Sequence, residues 1–195
     1  MFVHMSLILA SASPWRKQLL TSSGFVFETI PPDEHVEDTR QPNELPEEYV
    51  RRLAFQKASH VADKVESGII LGCDTIVVCG ETILEKPSDR DDARRMLQIL
   101  RGQIHSVLSG ICLIKKNGDE TTVRQAVDIT RLVMRSISDE DMELYLDSTI
   151  WQGKSGAFGY QDCNDWLVIL EGSESNVVGL PMELFQSMYR MLLDS

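Results

Sequence analysis

The chain has 195 residues, 43% of them hydrophobic and 25% charged, which is the size and make-up of one ordinary globular domain able to bury a core without staples. Its net charge of −11 repels a nucleic-acid backbone, and no basic run interleaved with aromatics opposes that, so nucleic acid is not expected as a partner. No apolar stretch approaches about 20 residues and the first nine residues lack a basic region, so neither a membrane span nor a signal peptide is expected, and the cytoplasm is the default.

In chain order, residues 3–10 read as a short buried strand. Ser13-Pro14 is a helix start, because Ser caps orphan N–H groups and Pro suits the first helical position; that helix closes at Gly24. A strand over 25–30 leads into a polar loop, 31–46, with four prolines and the acids Asp33 and Glu34. The clearest helix follows at 47–66, with an inward stripe of Val50, Leu53, Ala54, Lys57, Ala58, Val61 and Val65. The apolar run 69–78 reads as a central strand, and residues 79–82 turn it into a short return strand.

Ser88-Asp89-Arg90-Asp91 resembles a capping box, opening a helix whose apolar face is Ala93, Met96, Leu97 and Leu100. Strands over 106–114 and 121–134 join through Asn117-Gly118, a hairpin signal. Ser138 opens a helix through Leu146, a Gly-rich loop occupies 153–162, and a strand spans 166–170. Pro181 then begins a terminal helix with Phe185, Met188, Tyr189 and Leu192 facing inward. Strands and helices alternate, with hairpins, which predicts an α/β fold on a mixed sheet.

Four cysteines (Cys73, Cys79, Cys112, Cys163) form no C-x-x-C pair and read as buried free thiols. The histidines have no spacing that would place two imidazoles on one metal. Other residues break the local rules. Lys57 stands where the helix stripe calls for an apolar side chain; it needs an anionic neighbour or ligand, unless its stem packs while the amine reaches solvent. Asp74 interrupts a strand otherwise fit for full burial, either capping backbone N–H groups or serving as metal ligand or general base. Ser11, Ser13 and Arg16 lie where a strand passes into a helix N-terminus, a setting that favours an anion, although no Walker loop is present. Lys86 and Lys154 stand in turns or loops, the latter with Gln161, and either could be plain solvated surface.

Together these residues resemble the Maf family of nucleotide pyrophosphatases, nearly end to end. The carriers are residues 9–16 (Leu-Ala-Ser-Ala-Ser-Pro-Trp-Arg), Asp33-Glu34, Arg52-Leu53-Ala54 leading to Lys57-Ala58, Gly72-Cys73-Asp74-Thr75 and the stretch from Gly80 to Lys86-Pro87. Residues 93–107, 153–161 and 176–181 continue the series. The resemblance implies a single domain over 1–195 with an elongated mixed sheet flanked by helices, two lobes and a central cleft, as in ITPase-like proteins. It implies hydrolysis of a nucleoside triphosphate to monophosphate and pyrophosphate, assisted by a divalent cation, Mg or Mn. Asp74 would be the proton acceptor. Ser11, Ser13, Arg16, Lys57, Lys86 and Lys154 would hold phosphates, and Glu34 with Asp74 would place the metal.

For the base, the family resemblance divides. Thr75, Lys154 and Gln161 follow a branch that prefers thymine and uracil nucleotides, whereas Trp15 follows one acting on 7-methylguanosine triphosphate. A methylated guanine is cationic and would stack on Trp15, but it would also want a carboxylate at its edge; the neutral Gln161 suits a pyrimidine instead. The balance favours dTTP and UTP. The rival readings are a non-catalytic nucleotide-binding regulator of septum formation and an enzyme for deaminated purines such as ITP. A nucleotide is the expected partner, neither nucleic acid nor membrane is, and a homodimer is left open.

Overall fold

The structure, a computed structural model, describes residues 5–33, 35–162 and 164–194. Among them, seven strands form one sheet in the order β2 (Phe27–Thr29), β1 (Leu7–Ala10), β3 (Ser67–Cys79), β5 (Ile104–Asn117), β6 (Glu120–Met134) and β7 (Leu167–Glu171), with β4 (Thr82–Leu84) paired to β3, and helices flank it. No helix of the described residues is long and apolar enough to cross a membrane.

β1 (Leu7–Ala10) is buried throughout, and α1 (Pro14–Ser22) starts as expected, with Ser13 Oγ accepting from the Arg16 amide at 3.4 Å and Pro14 in the first turn. β2 (Phe27–Thr29) is shorter than the predicted strand and runs parallel to β1, Leu7 opposite Phe27. α2 (Pro46–Ala62) carries Glu47 and Glu48 in its first turn, and the Glu48 carboxylate accepts from the Leu45 amide at 3.2 Å. It ends four residues before the predicted boundary. Asp63 caps it, and the Glu66 carbonyl is needed elsewhere, accepting from the Gly118 amide at 3.0 Å.

β3 (Ser67–Cys79) runs parallel to β1, with Leu9 opposite Leu71 and Ala10 opposite Gly72, then returns through Gly80 into antiparallel β4 (Thr82–Leu84). α3 (Arg90–Leu100) is capped one residue later than the sequence suggests. Asp89 is the N-cap, its carboxylate accepting from the Asp92 amide at 2.8 Å, while Ser88 only donates to it. A carboxylate is the stronger acceptor for orphan N–H groups. β5 (Ile104–Asn117) and β6 (Glu120–Met134) are neighbours joined at Gly118, a connection so short that they must be antiparallel. α4 (Asp139–Asp147), β7 (Leu167–Glu171), α5 (Glu174–Val178) and α6 (Met182–Leu193) complete the chain; β7 lies antiparallel to β6.

The described residues fall into two compact units. One comprises 5–74, 109–128 and 179–194; the other comprises Thr75–Leu108 and Ile129–Val178. In the first, side chains alternate across the sheet as strand geometry requires. Ile8, Ala10, Ile70, Cys112 and Ile114 pack with Ala54, Ala58 and Val61 of α2. Leu9, Leu71, Cys73 and Ile111 pack on the other face with Leu20 of α1 and Phe185, Met188 and Leu192 of α6. Two glycines seat α2. A Cβ at Gly72 would stand 2.2 Å from the Ala54 carbonyl oxygen, and one at Gly110 would stand 2.3 Å from that of Val50.

The second unit gathers Leu97 and Leu100 of α3, Leu132 and Met134 of β6, Leu146 of α4, Trp151 and Phe158 into its own core. Arg90 and Arg94 of α3 reach Glu143 of α4 at 2.7–2.8 Å, and these guanidiniums draw the Glu143 carboxyl down to about 2.

Candidate functional site

The seating of α2 decides what becomes of Lys57. Ile70, Gly72 and Asp74 share one face of β3, the face that α2 covers, because strand side chains alternate. With no Cβ at Gly72, the helix backbone comes down onto the strand. Lys57, one turn beyond Leu53, then meets Asp74, one strand repeat beyond Gly72. Lys57 is 4% exposed and Asp74 6%, and the Lys57 ammonium donates to Asp74 Oδ1. The same ammonium also pairs with Glu37 Oε1 at 2.9 Å. The ammonium is therefore buried and paired, and the solvent-reaching alternative is ruled out. Asp74 lies inside β3, bound to a cation, and is not a strand-end cap. Among the described residues nothing hydrogen-bonds its second oxygen, Oδ2.

Strand register brings the phosphate-grip candidates to the same edge. Ala10 lies opposite Gly72, so Ser11 is level with Cys73 on the neighbouring strand, at the roughly 4.8 Å strand spacing. β1 ends there and α1 begins, presenting first-turn N–H groups and the positive end of the helix dipole. Ser11 Oγ, 4% exposed as a residue, accepts from the Ser13 amide and from Arg16 Nη1, both at 3.2 Å. Arg16 Nε donates to the Gly179 carbonyl at 2.8 Å, and that carbonyl also accepts from Cys73 Sγ at 3.2 Å. The guanidinium is thus held by its edge in a fixed plane, the pre-organisation that anion recognition needs. Trp15 is half-buried on α1.

The remaining predicted residues belong to the second unit. Thr75 follows Asp74 and its carbonyl accepts from Ser155 Oγ at 2.7 Å. The Gly156 amide donates to the Glu85 carbonyl at 3.0 Å, so the Gly-rich loop is pinned both to β3 and to the segment bearing Lys86, which is exposed. Lys154 is ion-paired with Asp162. Gly159 makes that pairing feasible, since a Cβ there would lie 2.3 Å from the Asp162 carboxylate. Gln161 is exposed beside it in the same turn. His105 is 2% exposed, packs edge-on against Phe158 of this loop at 5.6 Å, and is pushed down to about 4 by burial.

Glu34 lies outside the described residues. Within them, no group of three or more His, Cys, Asp or Glu side chains is placed to hold a metal ion. Asp74 Oδ2 is nonetheless a hard oxygen donor with no competing partner among the described residues, which suits a magnesium-type ion that takes one or two carboxylates and otherwise keeps water and substrate phosphate. Sequence reading passed over Glu37, Asp162, Ser155 and the Gly179 carbonyl. Of these Ser155 and Gly179 had a signal, as parts of the 153–161 and 176–181 stretches; Glu37 and Asp162 sit in loops with no periodicity to expose them.

A family model described as Maf-like protein matches residues 6–192. The dTTP/UTP pyrophosphatase of Rhodopirellula baltica is 48% identical over 179 residues, covering 91% of this chain and 78% of that protein. The dTTP/UTP pyrophosphatase of Koribacter versatilis is 40% identical over 189 residues, covering 96% and 93%. A HAM1 protein structure from Coxiella burnetii aligns over 98% of this chain and 100% of that one with a TM-score of 0.46 at 12% identity, a likeness too loose to bear on activity. With both the family match and relatives of this identity extending over almost its whole length, the chain belongs to the Maf family.

Proposed function

We propose that this protein hydrolyses nucleoside triphosphates, dTTP and UTP foremost, to the nucleoside monophosphate and pyrophosphate. The observation that carries this is the buried Lys57–Asp74 pair, one strand away from the N-terminus of α1. Phosphoryl transfer needs charge neutralisation and positioning more than covalent help, and this arrangement supplies a cation, a carboxylate and a helix N-terminus together. In the proposed reaction a water oxygen bonds to the α-phosphorus, the Asp74 carboxylate takes the proton, and the bond from the α-phosphorus to the oxygen bridging to the β-phosphate breaks to release pyrophosphate. Ser11, Ser13, Arg16 and Lys57 hold phosphate oxygens, and Lys86 and Lys154 keep the phosphate role that the family resemblance gives them.

A divalent ion, when bound, would be held by Asp74 and Glu34 and would neutralise phosphate charge. Trp15, Thr75 and Gln161 are assigned to the base. The preference for pyrimidines rests on Thr75 and Gln161 and on the activity named for both relatives. The free nucleotide pool places such an enzyme in the cytoplasm.

Pyrophosphate release from dTTP, UTP, ITP and 7-methylguanosine triphosphate with Mg or Mn tests the reading. Turnover should be highest on the first two, and Asp74→Asn should lower it by roughly 10²–10⁴. A lead for 7-methylguanosine triphosphate would hand the base to Trp15. No release from any of the four would leave a nucleotide-binding regulator in place of an enzyme.

A further inference from the structure

The loop between β2 and α2 lies along α2 through a ladder of polar contacts. Asp33 pairs with His60 at 3.0 Å and Lys64 at 2.7 Å, Asp38 accepts from Gln56 Nε2 at 2.6 Å, and Glu44 takes Arg52 by both oxygens at 2.7 and 2.8 Å. The partners 52, 56 and 60 recur every four residues and so mark one face of α2, and Lys64 lies in the turn just after it. The loop runs antiparallel to the helix, its earliest residue meeting the latest helix positions. The Asp33 and Asp38 contacts sit at or near solvent, where each such pair contributes little and can open singly, whereas the two-pronged Arg52–Glu44 pair is half-buried and anchors the loop at its end.

Glu37 is the exception on this strap, because its partner is the buried ammonium of Lys57. Lys57 is also the one partner Glu37 has among the described residues. The two carboxylates on that ammonium differ in position. The Asp74 side chain is 8% exposed and that of Glu37 40%, so Glu37 stands on the solvent side. A phosphate travelling from solvent to Lys57 arrives where Glu37 already is, and two anions repel at that range.

We propose that Glu37 is a displaceable counter-ion: it occupies Lys57 in the ligand-free protein, gives way to a phosphate of the incoming triphosphate, and thereby sets the affinity for it. This rests on the reading of Lys57 as a phosphate-holding residue. The displacement is completed on binding, before the chemical step. It weakens ground state and transition state alike, and so enters KM and leaves kcat alone.

The test is Glu37→Gln, which keeps shape and removes charge at a half-open position. Inorganic triphosphate titrated calorimetrically should bind the variant roughly three- to tenfold more tightly than the wild type. KM for dTTP should fall by a similar factor with kcat within about twofold. In a Lys57→Met background the same substitution should no longer tighten binding more than a general loss of one surface charge does. Unchanged or weaker binding by Glu37→Gln overturns the proposal, as does a fall in kcat at constant KM, or an undiminished gain without Lys57. Inorganic triphosphate failing to bind either protein overturns it as well. The functional reading fails separately, when the wild type releases no pyrophosphate from any nucleotide while the calorimetric comparison still reads Glu37.

Discussion

Three buried polar side chains show how differently a charge can be accommodated. Lys57 and Asp74 would each be costly alone in the first unit's core; paired, they are tolerable, and removing either partner leaves the other uncompensated. His105 solves the same problem by staying neutral. Its Nδ1–H donates to the Gln103 carbonyl at 3.3 Å, Nε2 is buried without a hydrogen bond, and burial pushes the ring from the usual 6.5 down to about 4. A folded value below the unfolded one means that the unfolded chain binds the proton first as pH falls. Stability from this group is therefore full above about pH 6.5, is lost progressively down to about pH 4, and changes no further below that. The total is about 3 kcal/mol. Urea unfolding of His105→Leu should show a visibly shallower loss of stability between pH 6.5 and 4.5 than the wild type. Equal slopes would assign the acid sensitivity to carboxylates alone.

At the scale of elements, the contact between α2 and β3 is what turns two separate anomalies into a site. The helix stripe places Lys57 toward the sheet and the strand alternation places Asp74 toward the helix, but only the missing side chain at Gly72 lets the two backbones approach closely enough. Gly72→Ala puts a methyl 2.2 Å from the Ala54 carbonyl and 2.8 Å from the Ala58 methyl. Overpacking of this kind costs about 1–3 kcal/mol, and the relief available is to lift α2. The variant should unfold at lower urea, and the fraction that remains folded should turn over more slowly, since Lys57 moves off Asp74. Wild-type stability would show that α2 is seated by other contacts. The helices and strands were legible because their signals are local: period 3.6 in α2 and α3, Gly80 and Gly118 at the turns, Ser13 and Ser138 at the caps. Where the boundaries moved, the end of α2 lost a carbonyl to a distant amide, Gly118, and the cap of α3 passed to the stronger carboxylate acceptor one residue on.

For the molecule as a whole, 30 acidic against 19 basic residues make it averse to polyanions in general, so a polyanionic ligand has to be met by cations placed locally against the net charge. The sequence pI of about 4.8 places loss of that net repulsion inside the window in which His105 is already weakening the fold. Solubility should therefore pass through a minimum near pH 4.8, with light scattering rising faster for the wild type than for His105→Leu. Identical scattering would separate colloidal from conformational causes.

The sequence by itself determined the elements, the α/β class, the family and most of the candidate residues, because periodicity, caps and an ordered run of motifs are properties of neighbours along the chain. Only the tertiary structure decided that Lys57 is buried and paired, that Glu37 shares it, that Arg16 is oriented by a carbonyl 163 positions away, and that Lys154 is tied to Asp162. A charge taken out of water has to be matched by whichever group the fold brings beside it, and Glu37, Gly179 and Asp162 come from loops whose residues carry no periodicity of their own.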